Sequence, residues 1–382
     1  MLKPLSIALV LASCWFYTYL FHDYLVESEW QNVFGLTRIV IPDTFLYAYL
    51  VDIDDFYTSV VLSGVKNSLG PSTLWYIAGF NWYVMCFINV LFIWAIVIYL
   101  EKLASAYGIR KPDIQWAILL FIFVPGTLYY SIGALKELPM MLLLLMSLYY
   151  YNRQAYLAAL LSALLLVAFR YQLAIILIFV AVLPLVPRNR FRWAMYAMLM
   201  LAAIYPALEG FQVLEKETTE TYREESGTEA SLGGGAETIR NNLYVLSAVG
   251  VALRTAQSFL EPVLTIARDM SVAEDGFVSI FAIVQLATNV AFIPFALGFL
   301  LKLPRVWRGG DRVPPEVQSL YALVVISFIL VGGFSFIHHR YLYPFFPILI
   351  IAALIPRARL KVPSFNALQP MVARPRTADI HA

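Results

Sequence analysis

Charged residues are scarce in this sequence. Only 14% of its 382 residues are Asp, Glu, Lys or Arg, whereas 61% are hydrophobic. A soluble domain usually carries about 25% charged residues, so this chain has too few to cover a water-facing surface. The net charge of only +2 also argues against nucleic acid as a partner. The composition therefore predicts an integral membrane protein with almost no soluble domain.

Cysteines and the common nucleotide and hydrolase motifs are also lacking. The two cysteines, Cys14 and Cys86, lie in apolar runs, which predicts neither a disulfide framework nor a metal cluster built on sulfur. The sequence has no Walker loop, dinucleotide-binding glycine pattern, HExxH or GxSxG motif. Leu11 to Cys14 look like a lipoprotein cleavage box, but the apolar run continues to Phe21. We therefore expect an uncleaved first helix.

Long apolar runs recur along most of the chain. A membrane-spanning helix needs about 20 apolar residues. The run 155–186 is too long for one span and carries Arg170 near its middle, where a charge in lipid is costly, so we place a turn at Arg170. Ten spans are then predicted: 5–22, 75–100, 114–131, 138–151, 155–169, 171–186, 193–207, 277–301, 318–337 and 342–355. The predicted fold class is an all-α polytopic transmembrane bundle.

The distribution of basic residues predicts the orientation. With both termini in the cytoplasm, the cytoplasmic segments hold 17 of the 27 Lys and Arg residues, as the positive-inside rule requires. Two long loops, about 22–74 and 208–275, are then extracytoplasmic. In the second loop, the amphipathic stretch 246–263 is expected to lie on the membrane or cap the bundle, with an eleventh span over 243–260 as the alternative. Residues 1–361 form one membrane-embedded domain, and 362–382 form a disordered cytoplasmic tail.

Several titratable side chains are predicted to lie at one membrane face. Each one alone has a simpler explanation, as a hydrated turn or an interfacial anchor. Together they form a cationic site at helix ends, in a protein whose outer loops are otherwise acidic. Arg offers a planar fork to phosphate oxygens and Lys a point charge, so we predict a site for a phosphate-bearing lipid. The predicted substrate- or phosphate-binding residues are Lys136, Glu137, Arg170, His338, His339, Arg340 and Tyr341.

Four short motifs carry a resemblance to a known family. They are Pro42 to Tyr47, Pro125 to Ser131 running into Lys136-Glu137, Phe169-Arg170-Tyr171, and His339 to Pro347. With these motifs the chain resembles the C-type (GT-C-like) membrane glycosyltransferases and the polymerase-like membrane proteins of bacterial polysaccharide assembly. The likeness extends over nearly the whole chain.

The resemblance implies an enzyme of surface or exopolysaccharide assembly in the bacterial cytoplasmic membrane. Its donor would be a polyprenyl-phosphate-linked sugar, its acceptor a glycan, and its further partners other polysaccharide-assembly membrane proteins. An acid in the first outer loop would act as base, and Asp43 is the first choice. Asp52 and Asp54 form a DxD-like pair that could act instead or hold a divalent metal ion. No cofactor other than such a metal is implied.

Two other classes of function remain open. A non-enzymatic carrier or channel for a lipid-linked glycan would place its essential charges near mid-membrane on broken helices. A scaffold subunit of an export complex would tolerate loss of the predicted site residues. Single-sugar transferase and polymerase are not separated by the sequence.

Overall fold

The computed structural model describes residues 69–79, 81–132, 136–182, 278–309, 313–333 and 342–357, together with isolated positions elsewhere. Its helices are α1 (Leu69–Ile77), α2 (Trp82–Ala106), α3 (Lys111–Phe123), α4 (Pro125–Ile132), α5 (Glu137–Asn152), α6 (Tyr156–Val182), α7 (Ile280–Gly309), α8 (Pro315–Gly333) and α9 (Phe346–Leu354), the last preceded by a 3-10 turn at Tyr343–Phe345. A two-residue parallel pairing joins β1 (Leu36–Thr37) to β2 (Val278–Ser279). Apart from this pairing, the described elements are helical, as predicted.

Two of the described helices are long and apolar enough to cross a bilayer. They are α2 and the 25-residue stretch Ile283–Trp307 of α7. A helix of this length spans about 37 Å, more than the roughly 30 Å hydrocarbon core. Counting α3 and α4 as one bent span gives a third candidate among the described residues. The predicted spans 5–22 and 193–207, most of both long loops and the tail lie outside the described residues.

The start of α2 corrects a predicted boundary. The sequence predicts one helix over 75–100, but the structure ends α1 at Ile77 and starts α2 at Trp82. Gly79 has a φ of +61°, a conformation that glycine adopts without steric cost. The Asn81 side chain then accepts hydrogen bonds from Tyr83 N at 2.9 Å and Val84 N at 3.2 Å. This amide cap explains the new helix start.

A second correction concerns the predicted span 114–131. The structure divides it into α3 and α4, which are bent by 53° relative to each other. The division falls at Val124, whose ψ of 133° is extended. Proline disfavours helical geometry in the residue before it, and Pro125 follows directly. The bend therefore has a local cause in the sequence.

Helices α5 and α6 form an antiparallel hairpin. Gln154 adopts a positive φ of 59° after the last turn of α5, and Ala155 N donates to Tyr150 O at 3.0 Å. This is the bonding pattern of a helix that ends on a left-handed residue. Farther along the hairpin, Ser147 Oγ donates to Ala159 O at 3.1 Å and fixes the register of the two helices.

The predicted break at Arg170 is confirmed. Arg170 has φ −165° and ψ 97° within α6 and so separates two helical segments. Whether these segments are two separate spans stays a prediction. Another boundary also differs: α7 runs to Gly309 rather than ending near 301, so Lys302 and Arg305 are helical rather than loop residues.

Burial differs sharply among the helices. Residues of α5 from Glu137 to Leu145 are all buried, so this helix is surrounded by protein. By contrast, α6 exposes Leu157 (72%) and Leu165 (60%), and α7 exposes Leu301 (72%). Large apolar surfaces of this kind are unusual on soluble monomers and suit contact with lipid.

Candidate functional site

Contacts between helix ends define two opposite ends of the bundle. At one end, Asn152 Nδ2 donates to Tyr107 OH at 3.2 Å, and Tyr107 OH donates to Glu316 O at 3.3 Å. We call this the Tyr107 end. The other end, where α5 begins and the Tyr343–Phe345 turn contacts it, is the Glu137 end. The site predicted from the sequence falls at the Glu137 end.

Three buried hydroxyl-bearing residues meet at the Glu137 end, and we call them the hydroxyl cluster: Thr127, Tyr130 and Tyr343. Thr127 Oγ1 lies 2.5 Å from Tyr343 OH and also donates to Phe121 O at 2.6 Å. The Tyr130 and Tyr343 ring centroids are 4.5 Å apart. The carboxyl group of Glu137 is close enough to interact electrostatically with the Tyr343 phenol.

Gly126 connects the hydroxyl cluster to α7. Its N–H donates to Thr288 Oγ1 at 2.9 Å, and Thr288 Oγ1 in turn donates to Val284 O at 2.6 Å. A Cβ at Gly126 would stand 2.8 Å from Thr288 Oγ1 and 3.0 Å from Tyr343 Cε2. Only glycine therefore allows α4, α7 and the Tyr343 turn to approach this closely.

Helix α2 also contributes a buried amide. Asn89 is fully buried, and its Nδ2 donates to Ser131 O at 2.9 Å. Ser131 lies in the last turn of α4, where backbone carbonyls lack helical partners. The amide therefore satisfies a helix end and fixes α4 against α2.

Lys136 and Arg170 lie at the same level of the α5–α6 hairpin. Ser147 and Ala159 are in hydrogen-bond contact; Lys136 is eleven residues before Ser147, and Arg170 is eleven residues after Ala159. The two helices are antiparallel and each rises by about 1.5 Å per residue. Eleven residues back along α5 and eleven residues forward along α6 therefore reach the same level. Both side chains are half-buried. We call this pair the cationic rim of the Glu137 end.

Glu137 differs from its two cationic neighbours. Its side chain is 1% exposed, whereas Lys136 and Arg170 are half-buried. It stands in the first turn of α5, where the helix dipole favours a negative charge. A carboxylate repels phosphate, so its place near the Tyr343 phenol suits a positioning role better than a direct phosphate contact.

The other predicted site residues lie outside the described residues. These are the acids Asp43, Asp52 and Asp54 and the run His338, His339, Arg340 and Tyr341. The metal role of Asp52 and Asp54 therefore stays a prediction. Within the part of the chain that the structure describes, no group of three or more His, Cys, Asp or Glu residues could hold a metal ion.

The buried polar contacts were not predictable as a group from the sequence. Thr127, Tyr130 and Tyr343 occur in the sequence only as members of short motifs, and Asn89 and Thr288 belong to none of them. A signal was present, because a polar residue inside an apolar run usually faces other helices rather than lipid. Asn89 and Thr288 both interrupt such runs.

Comparison of the chain with protein-family models, with curated proteins and with solved structures gave no match.

Proposed function

We propose that this chain is a GT-C-like membrane glycosyltransferase or polymerase that uses a polyprenyl-phosphate-linked sugar at the extracytoplasmic face. The supporting observation is that Lys136 and Arg170 lie at the same level of the α5–α6 hairpin, at the end of the bundle that also holds the buried hydroxyl cluster. Two cations at one end of a hairpin can hold the two sides of a phosphate group. The hydroxyl cluster keeps the surrounding helix ends fixed, which a transfer reaction needs.

The proposed reaction is a displacement at the anomeric carbon of the donor sugar. A hydroxyl oxygen of the acceptor forms the new glycosidic bond, and the bond from the anomeric carbon to the phosphate oxygen breaks. The leaving phosphate keeps the electron pair, and Lys136 and Arg170 stabilise its charge. Asp43 takes the proton of the acceptor hydroxyl, with Asp52 or Asp54 as the alternative base.

The proposal includes a bundle of about ten spans with both termini in the cytoplasm. The Glu137 end is then extracytoplasmic, because 17 of 27 basic residues fall on the opposite side. Reporter fusions at Arg190, at Lys216 and at the C-terminus test this orientation. We expect cytoplasmic reporter activity at Arg190 and at the C-terminus only. Activity at Lys216 would overturn the topology and the shared outer site with it.

A binding experiment tests the cationic rim directly. Purified protein is titrated with a short-chain polyprenyl phosphate, and retention is followed by native mass spectrometry. A hydrogen bond to a charged group contributes about 1.5–3 kcal/mol, so Arg170→Gln and Lys136→Gln should each weaken binding about tenfold or more. Arg170→Lys keeps the charge but loses the planar guanidinium group that can bind two phosphate oxygens at once. Its affinity should lie between those of wild type and Arg170→Gln.

Arg110→Gln is the matched control for this titration. Arg110 is an exposed arginine that bonds to Asp113 at 3.0 Å, and it lies three residues after Tyr107, which marks the opposite end. Its substitution should leave binding unchanged. If Arg110→Gln and Arg170→Gln weaken binding of polyprenyl phosphate equally, only net charge matters. That result would refute phosphate binding at the cationic rim.

A second experiment tests catalysis. Asp43→Asn, Asp52→Asn and Asp54→Asn are compared for glycan product and for abundance in the membrane. A general base contributes roughly 100- to 10,000-fold in rate, so at least one variant should lose nearly all product at normal abundance. Normal amounts of glycan product from all three variants and from the triple variant would refute the proposal that this chain is an enzyme with one of these acids as its base.

A carrier of lipid-linked glycans is the second candidate function. The 53° bend between α3 and α4 and the break at Arg170 favour it, since transporters build their sites on interrupted helices. A carrier would bind polyprenyl phosphate through the same cations but release it unchanged. Normal product from the triple Asp variant, together with loss of both binding and product in Arg170→Gln, would identify this class. Normal product from both the triple Asp variant and Arg170→Gln would favour a scaffold subunit.

A further inference from the structure

Three tyrosines and two cations gather near the Tyr107 end, outside the site described above. Tyr99 OH lies 2.8 Å from Tyr150 OH. The Tyr149 ring is in edge contact with both, at 5.6 Å from the Tyr99 centroid and 5.5 Å from the Tyr150 centroid. We call Tyr99, Tyr149 and Tyr150, with Lys102 and Arg153, the tyrosine–cation cluster.

Both cations of this cluster lie against the same ring. Lys102 Nζ is 5.6 Å and Arg153 Cζ is 5.8 Å from the Tyr149 centroid, and Lys102 Nζ is also 5.2 Å from the Tyr99 centroid. The two residues come from different helices, α2 and the end of α5. Both cations are exposed, and neither is in an ion pair with an acidic side chain of the described residues.

Helix ends explain part of this arrangement but not all of it. A cation near the C-terminal end of a helix offsets the negative end of the helix dipole. This applies to Arg153, the C-cap of α5, more than to Lys102, which lies four residues before the end of α2. It does not require two like charges from different helices to share one ring, where they repel each other. An anion between them would remove that repulsion.

We propose that the tyrosine–cation cluster binds a phosphate group, carried by an anionic membrane lipid. Lys102 and Arg153 supply the charge, and the paired Tyr99 and Tyr150 hydroxyls share one hydrogen bond, so one phenol proton is left to donate to a phosphate oxygen. Tyrosines at this depth pack against the lipid glycerol region. In the proposed orientation this end faces the cytoplasm, where anionic lipids attract basic groups between helices.

The ligand chemistry is compatible with two sources, a lipid headgroup or free phosphate, and the test separates them. Purified protein is exchanged into mixed micelles that contain either phosphatidylglycerol or phosphatidylcholine, and bound lipid is counted by native mass spectrometry. A parallel titration adds inorganic phosphate at millimolar concentration. We expect retention of phosphatidylglycerol over phosphatidylcholine, with no displacement by inorganic phosphate.

Substitutions then locate the site. Lys102→Gln and Arg153→Gln should each weaken retention of phosphatidylglycerol by about fivefold, whereas Lys111→Gln should leave it unchanged. Lys111 is the matched control, because it is exposed and begins α3 shortly after Tyr107. The double variant Tyr99→Phe with Tyr150→Phe keeps both rings and removes every phenol proton of the pair, so it should weaken retention. Arg153→Lys should retain most of the binding and shows that a weakened Arg153→Gln is not simply misfolded.

Several results would overturn the proposal. Equal retention of both lipids would mean ordinary annular contact. Equal weakening by Lys102→Gln and Lys111→Gln would mean a diffuse charge effect. Displacement of the lipid by inorganic phosphate would identify the free ion as the ligand and remove the lipid from the proposal.

Discussion

At the Glu137 end, polar side chains are buried and bond to one another or to backbone within the bundle. At the Tyr107 end, the charged side chains of Lys102 and Arg153 are exposed and lie near the C-terminal ends of α2 and α5. Thr127 and Glu137 are at most 1% exposed, whereas Lys102 and Arg153 are exposed. Buried polar groups must be satisfied by fixed partners, so the first end tolerates little change. The second can exchange its partners with water or lipid.

The largest expected effect is at the buried end, from adding a methyl group at Gly126. The new Cβ would stand 2.8 Å from Thr288 Oγ1, and the Gly126 N–H that bonds to this oxygen prevents Thr288 from moving away freely. Overpacking typically costs about 1–3 kcal/mol. We expect Gly126→Ala to lower the midpoint of thermal unfolding in detergent clearly.

Gly298→Ala is the matched control for that variant. Its new Cβ would meet Ala353 Cβ at 3.4 Å, which is an ordinary contact, so the midpoint should stay close to wild type. If both variants unfold at the same temperature, the close approach of α4, α7 and the Tyr343 turn is not tight, and the contrast between the two ends weakens.

The second-largest expected loss of stability is at the Tyr107 end, where Lys302 connects α7 to the end of α9. Lys302 Nζ donates to Ala353 O and, at 2.7 Å, to Ile355 O. Hydrogen bonds from a charged group contribute about 1.5–3 kcal/mol. Lys302→Met should destabilise the protein toward the low end of this range, because Lys302 is only half-buried and solvent partly screens its charge.

Lys111→Met provides the comparison for Lys302, since Lys111 is an exposed lysine at the same end. It should leave the unfolding midpoint unchanged. If Lys302→Met lowers the midpoint of thermal unfolding as much as Gly126→Ala does, the Tyr107 end is as tightly fixed as the Glu137 end.

A smaller effect measures the hydroxyl cluster itself. Thr127→Val and Tyr343→Phe remove the two ends of one buried hydrogen bond. In a double-mutant cycle, the coupling energy should be about 1 kcal/mol. The pair Thr127→Val and Tyr321→Phe should be additive, because Tyr321 OH donates elsewhere, to Ala352 O at 2.8 Å. Additivity in both cycles would refute a direct Thr127–Tyr343 bond.

The smallest effect is a gain in stability at the α5–α6 turn. Gln154 holds a φ of 59°, which costs residues other than glycine about 1–2 kcal/mol. The greater freedom of glycine in the unfolded chain offsets part of the gain, so Gln154→Gly should stabilise by roughly 0.5 kcal/mol. Gln115→Gly, at an exposed position inside α3, should instead destabilise by about 1 kcal/mol. Destabilisation by both would argue against the left-handed turn.

The sequence predicted the helices better than their interruptions. The break at Arg170 was predictable, because a charge in an over-long apolar run signals a turn. The bend at Val124 was not, because 114–131 has the right length and composition for one span and Pro125 alone does not show that the chain divides there. The start of α2 was missed for a related reason: Trp75 and Trp82 are both apolar, so hydropathy continues through the Gly79–Asn81 junction.

The candidate site was predictable in its charges but not in its hydroxyl cluster. Lys136 and Arg170 stand out in an apolar sequence, and the alternation of predicted spans places them at one end. The contacts of Thr127 with Tyr343 and of Asn89 with Ser131 depend on which face of each helix turns inward. Helix α2, which carries Asn89, has apolar residues on its exposed face (Phe87, Leu91) as well as on its buried face (Val90, Ile93) and therefore has no apolar stripe from which a facing direction could be read.

The burial of α9 has a consequence for biogenesis. From Phe346 to Ala353 every side chain is buried, so this helix has almost no surface for lipid, although it is the last helix in the described chain. During synthesis the earlier helices must therefore pack with a groove still open between them. The closing step, fixed by Lys302, comes only after Ile355 has been made. A nonsense change just before Phe346 should leave that groove unfilled and expose the nascent bundle to quality-control proteases.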